Sequence, residues 1–174
     1  MVDVFKVLVK IIELTPIYVW LLLAFLVQRG ISTSQEREVN ILKSFLVPGV
    51  FIVWGLYNIV AKFAHPFSSI LTYLVFLAIG VFLGTMLYQK TYRFFVRNGA
   101  VIRAKNYFPL FIILFNFLIK YSLNIYMYMD TDAVNRLSFN MLYTAISGTT
   151  VGLFFGGIVI TYRYVTTQRG RIRG

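Results

Sequence analysis

Cysteine is absent from this sequence and histidine occurs once, at His65. These two scarcities exclude thiolate metal sites, dithiol redox couples, iron–sulfur clusters and two-histidine haem ligation built by this chain alone. Acids are nearly as rare: Asp3, Glu13, Glu36, Glu38, Asp130 and Asp132 are the six in 174 residues. Proton- and sodium-coupled transport often relies on paired intramembrane carboxylates, and most of these six lie outside the apolar runs. With no matched base, nucleophile and thiol, no catalytic residue, metal or cofactor is expected.

Charge of either sign is sparse. Only 13% of residues are charged, whereas 59% are hydrophobic and 18% aromatic. A soluble domain carries about 25% charged and about 45–50% apolar residues, so this chain cannot cover itself with polar surface. One membrane crossing takes about 20 residues, and five apolar stretches qualify, at about 7–27, 41–61, 66–88, 109–129 and 139–162. The expected fold is an all-α membrane protein with five transmembrane helices, forming one domain over residues 1–174.

Local signals punctuate these spans. Asp3, Lys6, Lys10 and Glu13 recur at helical spacing opposite Val4, Phe5, Leu8 and Ile11. The first segment reads either as one span kinked at Pro16 or as an interfacial helix broken at Thr15; residues 17–27 are short for a crossing, which favours the kinked span. Gly30 reads as a helix stop, and Thr33 with Glu36 has capping-box spacing for the second helix. Pro48-Gly49 predicts a kink in that helix, and His65-Pro66 a start for the third.

Lysine and arginine set the orientation. Arg29, Arg37, Lys43, Lys90, Arg93, Arg97, Arg103, Lys105, Arg163, Arg169, Arg171 and Arg173 fall on one side, and Lys6, Lys10, Lys62 and Arg136 on the other. By the positive-inside rule the N-terminus is expected outside and the C-terminus in the cytoplasm. The formal net charge of +11 therefore reads as topology, aided by attraction to anionic lipid, and no nucleic-acid partner is expected.

The loop between the third and fourth spans contains Asn98-Gly99, the dipeptide favoured in type I′ turns, flanked by strand-like residues 92–97 and 100–105. A short cytoplasmic β-hairpin is predicted, with Tyr92 opposite Lys105 and Phe94 opposite Arg103. The alternative is a helical extension followed by an ordinary loop.

Lys120 is the cation that topology leaves over. It lies mid-span, on the order of 14 Å from the outer end at about 1.5 Å per residue, too deep for comfortable snorkelling. Asn116 and Asn124 stand one turn to either side, on the same face. Insertion scales price a lysine at such depth at about 2.5–3.5 kcal/mol, so it should face the bundle and meet a partner. Two readings follow: an internal pair with Glu13, expected about 6 Å shallower, or a polar cleft in which Lys120, Asn116 and Asn124 bind an anionic group. Thr144, Gly148, Gly152 and Gly156 form a small-residue ridge on the fifth span, matched by Gly80 and Gly84 on the third. Packing within the chain is the expected use of these rows; contact between copies or with other membrane subunits is the alternative.

Several landmarks carry a resemblance: residues 15–20 (Thr-Pro-Ile-Tyr-Val-Trp), Gln28-Arg29-Gly30, Pro48-Gly49, Tyr107-Phe108-Pro109-Leu110, Lys120-Tyr121, residues 143–156 and Arg163. In these the chain resembles small bacterial inner-membrane proteins and, more distantly, the CcdC-like proteins named for cytochrome c biogenesis. The resemblance implies a multi-pass protein of the bacterial inner membrane and places an assembly role among its functions. Without cysteines the thiol steps would belong to other proteins. The sequence reading is thus a non-enzymatic accessory to a membrane complex, or a binder of a small anionic or lipid ligand near Lys120. A small oligomeric transporter or channel is the alternative, and a lipid-acting enzyme a weaker one.

Overall fold

The computed structural model describes residues 16–97 and 100–173. In chain order these form α1 (Ile17–Ser34), β1 (Arg37–Glu38), α2 (Ile41–Ser44), α3 (Leu46–Lys62), α4 (Pro66–Thr91), β2 (Phe94–Arg97), β3 (Ala100–Arg103), α5 (Phe108–Met129), a 3-10 turn (Thr131–Asn135) and α6 (Leu137–Arg173). Five helices are long and apolar enough to cross a membrane, with α2 and α3 counted together as Ile41–Lys62. The described chain has the architecture of a multi-pass membrane protein.

α6 is the central post. In its most apolar stretch 61% of residues are buried inside the bundle, against 17–33% in the other four spans. Those four turn large apolar side chains outward, among them Leu21, Val53, Phe82 and Leu118, a surface that lipid can solvate and water cannot.

The most extensive helix contact joins α4 to α6. Gly80 and Gly84 meet Gly148, Gly152 and Gly156 there, and the backbones themselves touch. A Cβ added at Gly84 would come within 2.6 Å of the Leu153 carbonyl oxygen, and one at Gly152 within 2.7 Å of the Gly80 Cα. No side chain can rotate away from such a clash. Within lipid, where burial of apolar groups gives helices no reason to associate, this intimacy supplies the dispersion contact that holds them together. Thr144 adds a hydroxyl that donates to the Asn140 carbonyl at 2.7 Å.

On the other flank of α6, Phe51 of α3 stacks on Phe154 at 5.8 Å between ring centres. Val19, Leu26, Ile113 and Phe117 of α1 and α5 complete that cluster. A second cluster, around Ile59, Phe63, Tyr73, Met127 and Tyr143, fills the opposite end.

Several local signals resolve differently from their sequence reading. Pro16 caps α1, which continues to Ser34 and so reaches spanning length without residues 7–15; those residues, and the amphipathic face read there, lie outside the described ones. Gly30 is no helix stop: it is buried mid-helix against Leu110, where a Cβ would collide. Thr33 sits in the last turn of α1, so the Thr33–Glu36 capping box does not form; Asn40 caps α2 instead, its side chain accepting from the Lys43 amide at 3.1 Å. The break in the second span falls at Phe45, upstream of Pro48. Proline disturbs the turn before it, because its ring crowds the preceding carbonyls and its nitrogen cannot donate.

Between α4 and α5 the hairpin forms in the predicted register, Phe94 opposite Arg103. Tyr92 and Lys105 fall outside its ladder: Tyr92 ends α4, and the Lys105 ammonium lies over the Tyr107 ring at 5.0 Å. The turn at Asn98-Gly99 is outside the described residues. The hairpin also gains a third strand. β1 pairs antiparallel with β3, Arg37 opposite Arg103, giving the order β1-β3-β2. Tyr164 stacks on Phe94 at 4.6 Å and fastens the sheet to α6.

Backbone contact between α4 and α6 predicts that Gly152→Leu destabilises the purified protein by about 1–3 kcal/mol or more, read as a lower midpoint of thermal unfolding in detergent. Gly49→Ala should lose nothing, since no atom lies within 4 Å of a Cβ there.

Candidate functional site

α5 carries its polar stripe into the middle of the bundle. Lys120 and Asn116 are both 0% exposed, a burial that lysine almost never shows without compensation. The ammonium crosses to α3, donates to the Phe51 carbonyl oxygen at 2.9 Å and lies over the Phe51 ring at 5.5 Å. A helical carbonyl retains a second lone pair after its helix bond, so the acceptor is available without breaking α3. The ring face adds a cation–π attraction that desolvation strengthens.

Space for the ammonium comes from Gly55. A Cβ on that residue would lie 3.3 Å from Lys120 Nζ, 3.7 Å from Tyr73 Cε2 and 3.9 Å from Ser147 Cβ. Three helices thus converge on one point, with α5 supplying the cation, α4 a phenol and α6 a hydroxyl.

Their hydrogen bonding is incomplete. The Tyr73 hydroxyl and both amide atoms of Asn116 are buried with no partner among the described residues. The Ser147 hydroxyl is likewise buried without a partner among the described residues. Lys120 has three N–H donors, and its one described hydrogen bond uses one of them. The chamber around the ammonium thus holds unused donors, on Lys120, the Asn116 amide nitrogen and the Tyr73 hydroxyl, together with an unused acceptor, the Asn116 amide oxygen.

The third residue of the stripe behaves differently. Asn124 donates to the Lys120 carbonyl at 2.7 Å and turns toward Asn58, whose amide lies 3.4 Å from its oxygen. Asn58 also donates to the Tyr143 hydroxyl at 2.7 Å. Asn124 belongs to this second polar knot, which ties α3, α5 and α6, rather than to the Lys120 chamber. Glu13, the proposed partner of Lys120, lies outside the described residues. The structure places Gly80, Gly84, Gly148, Gly152 and Gly156 on the α4–α6 seam, and Thr144 is buried with its hydroxyl bonded within α6.

Sequence reasoning missed Gly55, Asn58, Tyr73, Tyr143 and Ser147 as members of this centre. Asn58 had a signal of its own, as a lone amide in an apolar span. The others had none, because tyrosine, serine and glycine are common in spans and only the packing of three helices brings them together.

No family model, curated protein or solved structure matches this chain.

If the second knot binds α3 to α6, Asn58→Ala and Tyr143→Phe should cost less together than the sum of their separate costs. The expected coupling is about 0.6–1.7 kcal/mol, the range of interhelical hydrogen bonds in membranes, measured by a double-mutant cycle of unfolding in detergent.

Proposed function

We propose that this chain is a non-enzymatic multi-pass protein of the bacterial inner membrane that holds a small anionic group against Lys120. The observation that carries the reading is a fully buried ammonium whose described partners are neutral, beside buried polar groups that have no described partner. Phe51 contributes a carbonyl and a ring face, but no carboxylate contacts Lys120 among the described residues. Tyr73 and Asn116 remain unpartnered there. A carboxylate, chloride or phosphate oxygen would take up those donors and supply the missing negative charge.

The proposed orientation has the N-terminus outside and the C-terminus in the cytoplasm, on the asymmetry of lysine and arginine. Kinship with CcdC-like proteins, and with it an accessory role in assembling a membrane complex, rests on the sequence motifs. The glycine rows of α4 and α6 face each other within the chain, which supports a self-contained bundle over a channel assembled through those rows. The scarcity of His, Asp and Glu supports a binding role over catalysis.

Thermal unfolding of the full chain in neutral detergent, titrated separately with chloride, acetate and phosphate, tests the site. One of these should raise the midpoint, with about 2.7 kcal/mol of stabilisation at a hundredfold excess over its Kd, and Lys120→Met should abolish the response. A midpoint indifferent to all three, with Glu13→Ala and Lys120→Ala costing less together than their sum, would assign Lys120 to an internal ion pair instead.

A further inference from the structure

A second site lies at the sheet end of the bundle, where α1 and α4 stop and α5 begins. A cleft of about 50 Å³ opens there, large enough for several waters or a small anionic group. Arg37, Lys43 and Arg103 line it together with Thr33 and Tyr92, and Val47 and Phe154 of the spanning helices make its apolar part.

Arg103 is 6% exposed. One guanidinium nitrogen donates to the Tyr92 hydroxyl at 3.3 Å, another to the Thr33 carbonyl, and the group lies over the Tyr92 ring at 4.8 Å. Its Nε is buried with no partner among the described residues. Every described acceptor is neutral, so no carboxylate compensates the charge of Arg103 among the described residues.

The neighbouring strand makes this worse. Arg37 is directly opposite Arg103 in the β1–β3 ladder, and residues opposite each other share a face of the sheet, where like charges repel. Arg29 adds a further cation close by, donating to the Lys43 carbonyl at 2.9 Å. Burial, then Arg103 and Arg29, hold the Arg37 guanidinium below its usual pKa; Tyr92 opposes them, and no carboxylate does among the described residues. The acids at hand are turned elsewhere. Glu36 pairs with Arg97 at 3.2 Å. Glu38 is opposite Ile102 and so belongs to the other face of the sheet.

We propose that this cleft binds the phosphate group of an anionic ligand at the level of the lipid headgroups, with Arg37, Arg103 and Lys43 as its cationic partners. A phosphate presents several oxygens at once and accepts in-plane donors from guanidinium groups, which suits a free Nε and two converging arginines. Its charge turns the Arg37–Arg103 repulsion into a shared attraction. The apolar part of the cleft, made by helices that span the membrane, favours a ligand carrying an acyl chain. A free phosphate would meet the same cations. The proposal stands apart from the ligand at Lys120, because none of the residues lining the cleft belongs to that chamber.

The test uses the full chain in neutral detergent and measures binding of dioleoyl phosphatidic acid, dioleoyl phosphatidylcholine and inorganic phosphate. Phosphatidic acid should bind at least about tenfold more tightly than phosphatidylcholine, and Arg37→Gln should weaken it about tenfold, the scale of one charge-assisted hydrogen bond. Arg37→Gln carries the test because its side chain makes no described hydrogen bond, whereas Arg103→Gln also cuts the tie to Thr33. Arg97→Gln, outside the cleft, and Lys120→Met should leave binding unchanged. If inorganic phosphate binds and competes with phosphatidic acid, the phosphate group itself is what the cleft recognises. Binding of phosphatidic acid alone makes the ligand a lipid, and binding of inorganic phosphate alone makes it soluble; both support the site if Arg37→Gln weakens them. Equal affinity for phosphatidic acid and phosphatidylcholine without phosphate binding, or affinity indifferent to Arg37→Gln, would overturn it.

Discussion

The backbone contact between α4 and α6 is the constraint on which the rest of the structure depends. Lipid solvates apolar helices as well as another helix does, so association must come from close packing and from hydrogen bonds between helices. Gly80 and Gly84 against Gly148, Gly152 and Gly156 supply the first. With α4 seated so closely, α6 is left to present its other faces to α3 and to the polar residues of α5. Its role as the central post, buried over most of its apolar length, follows from that seating.

Polar groups enter the bundle where several helices can share them. Asn58, Asn124 and Tyr143 hydrogen-bond to one another across three helices, although the Asn58 amide oxygen keeps no described partner, whereas Asn116 and Tyr73 make no described side-chain hydrogen bond. A linked polar knot and the buried Lys120 thus sit one helical turn apart on α5, distinguished by whether side chains of other helices bond to one another or the cation meets only a backbone carbonyl and a ring. The sheet at the end of the bundle repeats the pattern with arginines. It ties α1, α4 and α6 together through backbone pairs and the Phe94–Tyr164 stack, while concentrating cations that no acid on that face neutralises among the described residues.

The number of spans, the hairpin register and the singularity of Lys120 were legible in the sequence because each rests on local pattern: apolar length, a turn dipeptide with alternating flanks, a charge where charge is costly; the first span, expected at about 7–27, instead runs over Ile17–Ser34. Gly30 and the Thr33–Glu36 spacing misled for the same reason. A glycine after an apolar run looks like a stop, and only the approach of Leu110 from α5 shows that it makes room within a continuing helix. β1 was invisible: two residues, Arg37 and Glu38, become a strand only because β3 offers them an edge. The space that Gly55 opens for Lys120, and the phenol of Tyr73 beside it, likewise depend on helices far apart in sequence. The pair proposed for Lys120 with Glu13 reached beyond the described residues, and within them the ammonium turns to the Phe51 carbonyl.

Whether the buried cation and its unpartnered neighbours form a ligand site can be read most directly from experimental density beside the Lys120 ammonium, at a resolution that shows ordered solvent. A bound anion within hydrogen-bond distance of Nζ, and also in contact with the Tyr73 hydroxyl or the Asn116 amide, is the predicted result. A Glu13 carboxylate seated on the ammonium, with Tyr73 and Asn116 satisfied by protein groups, would contradict it.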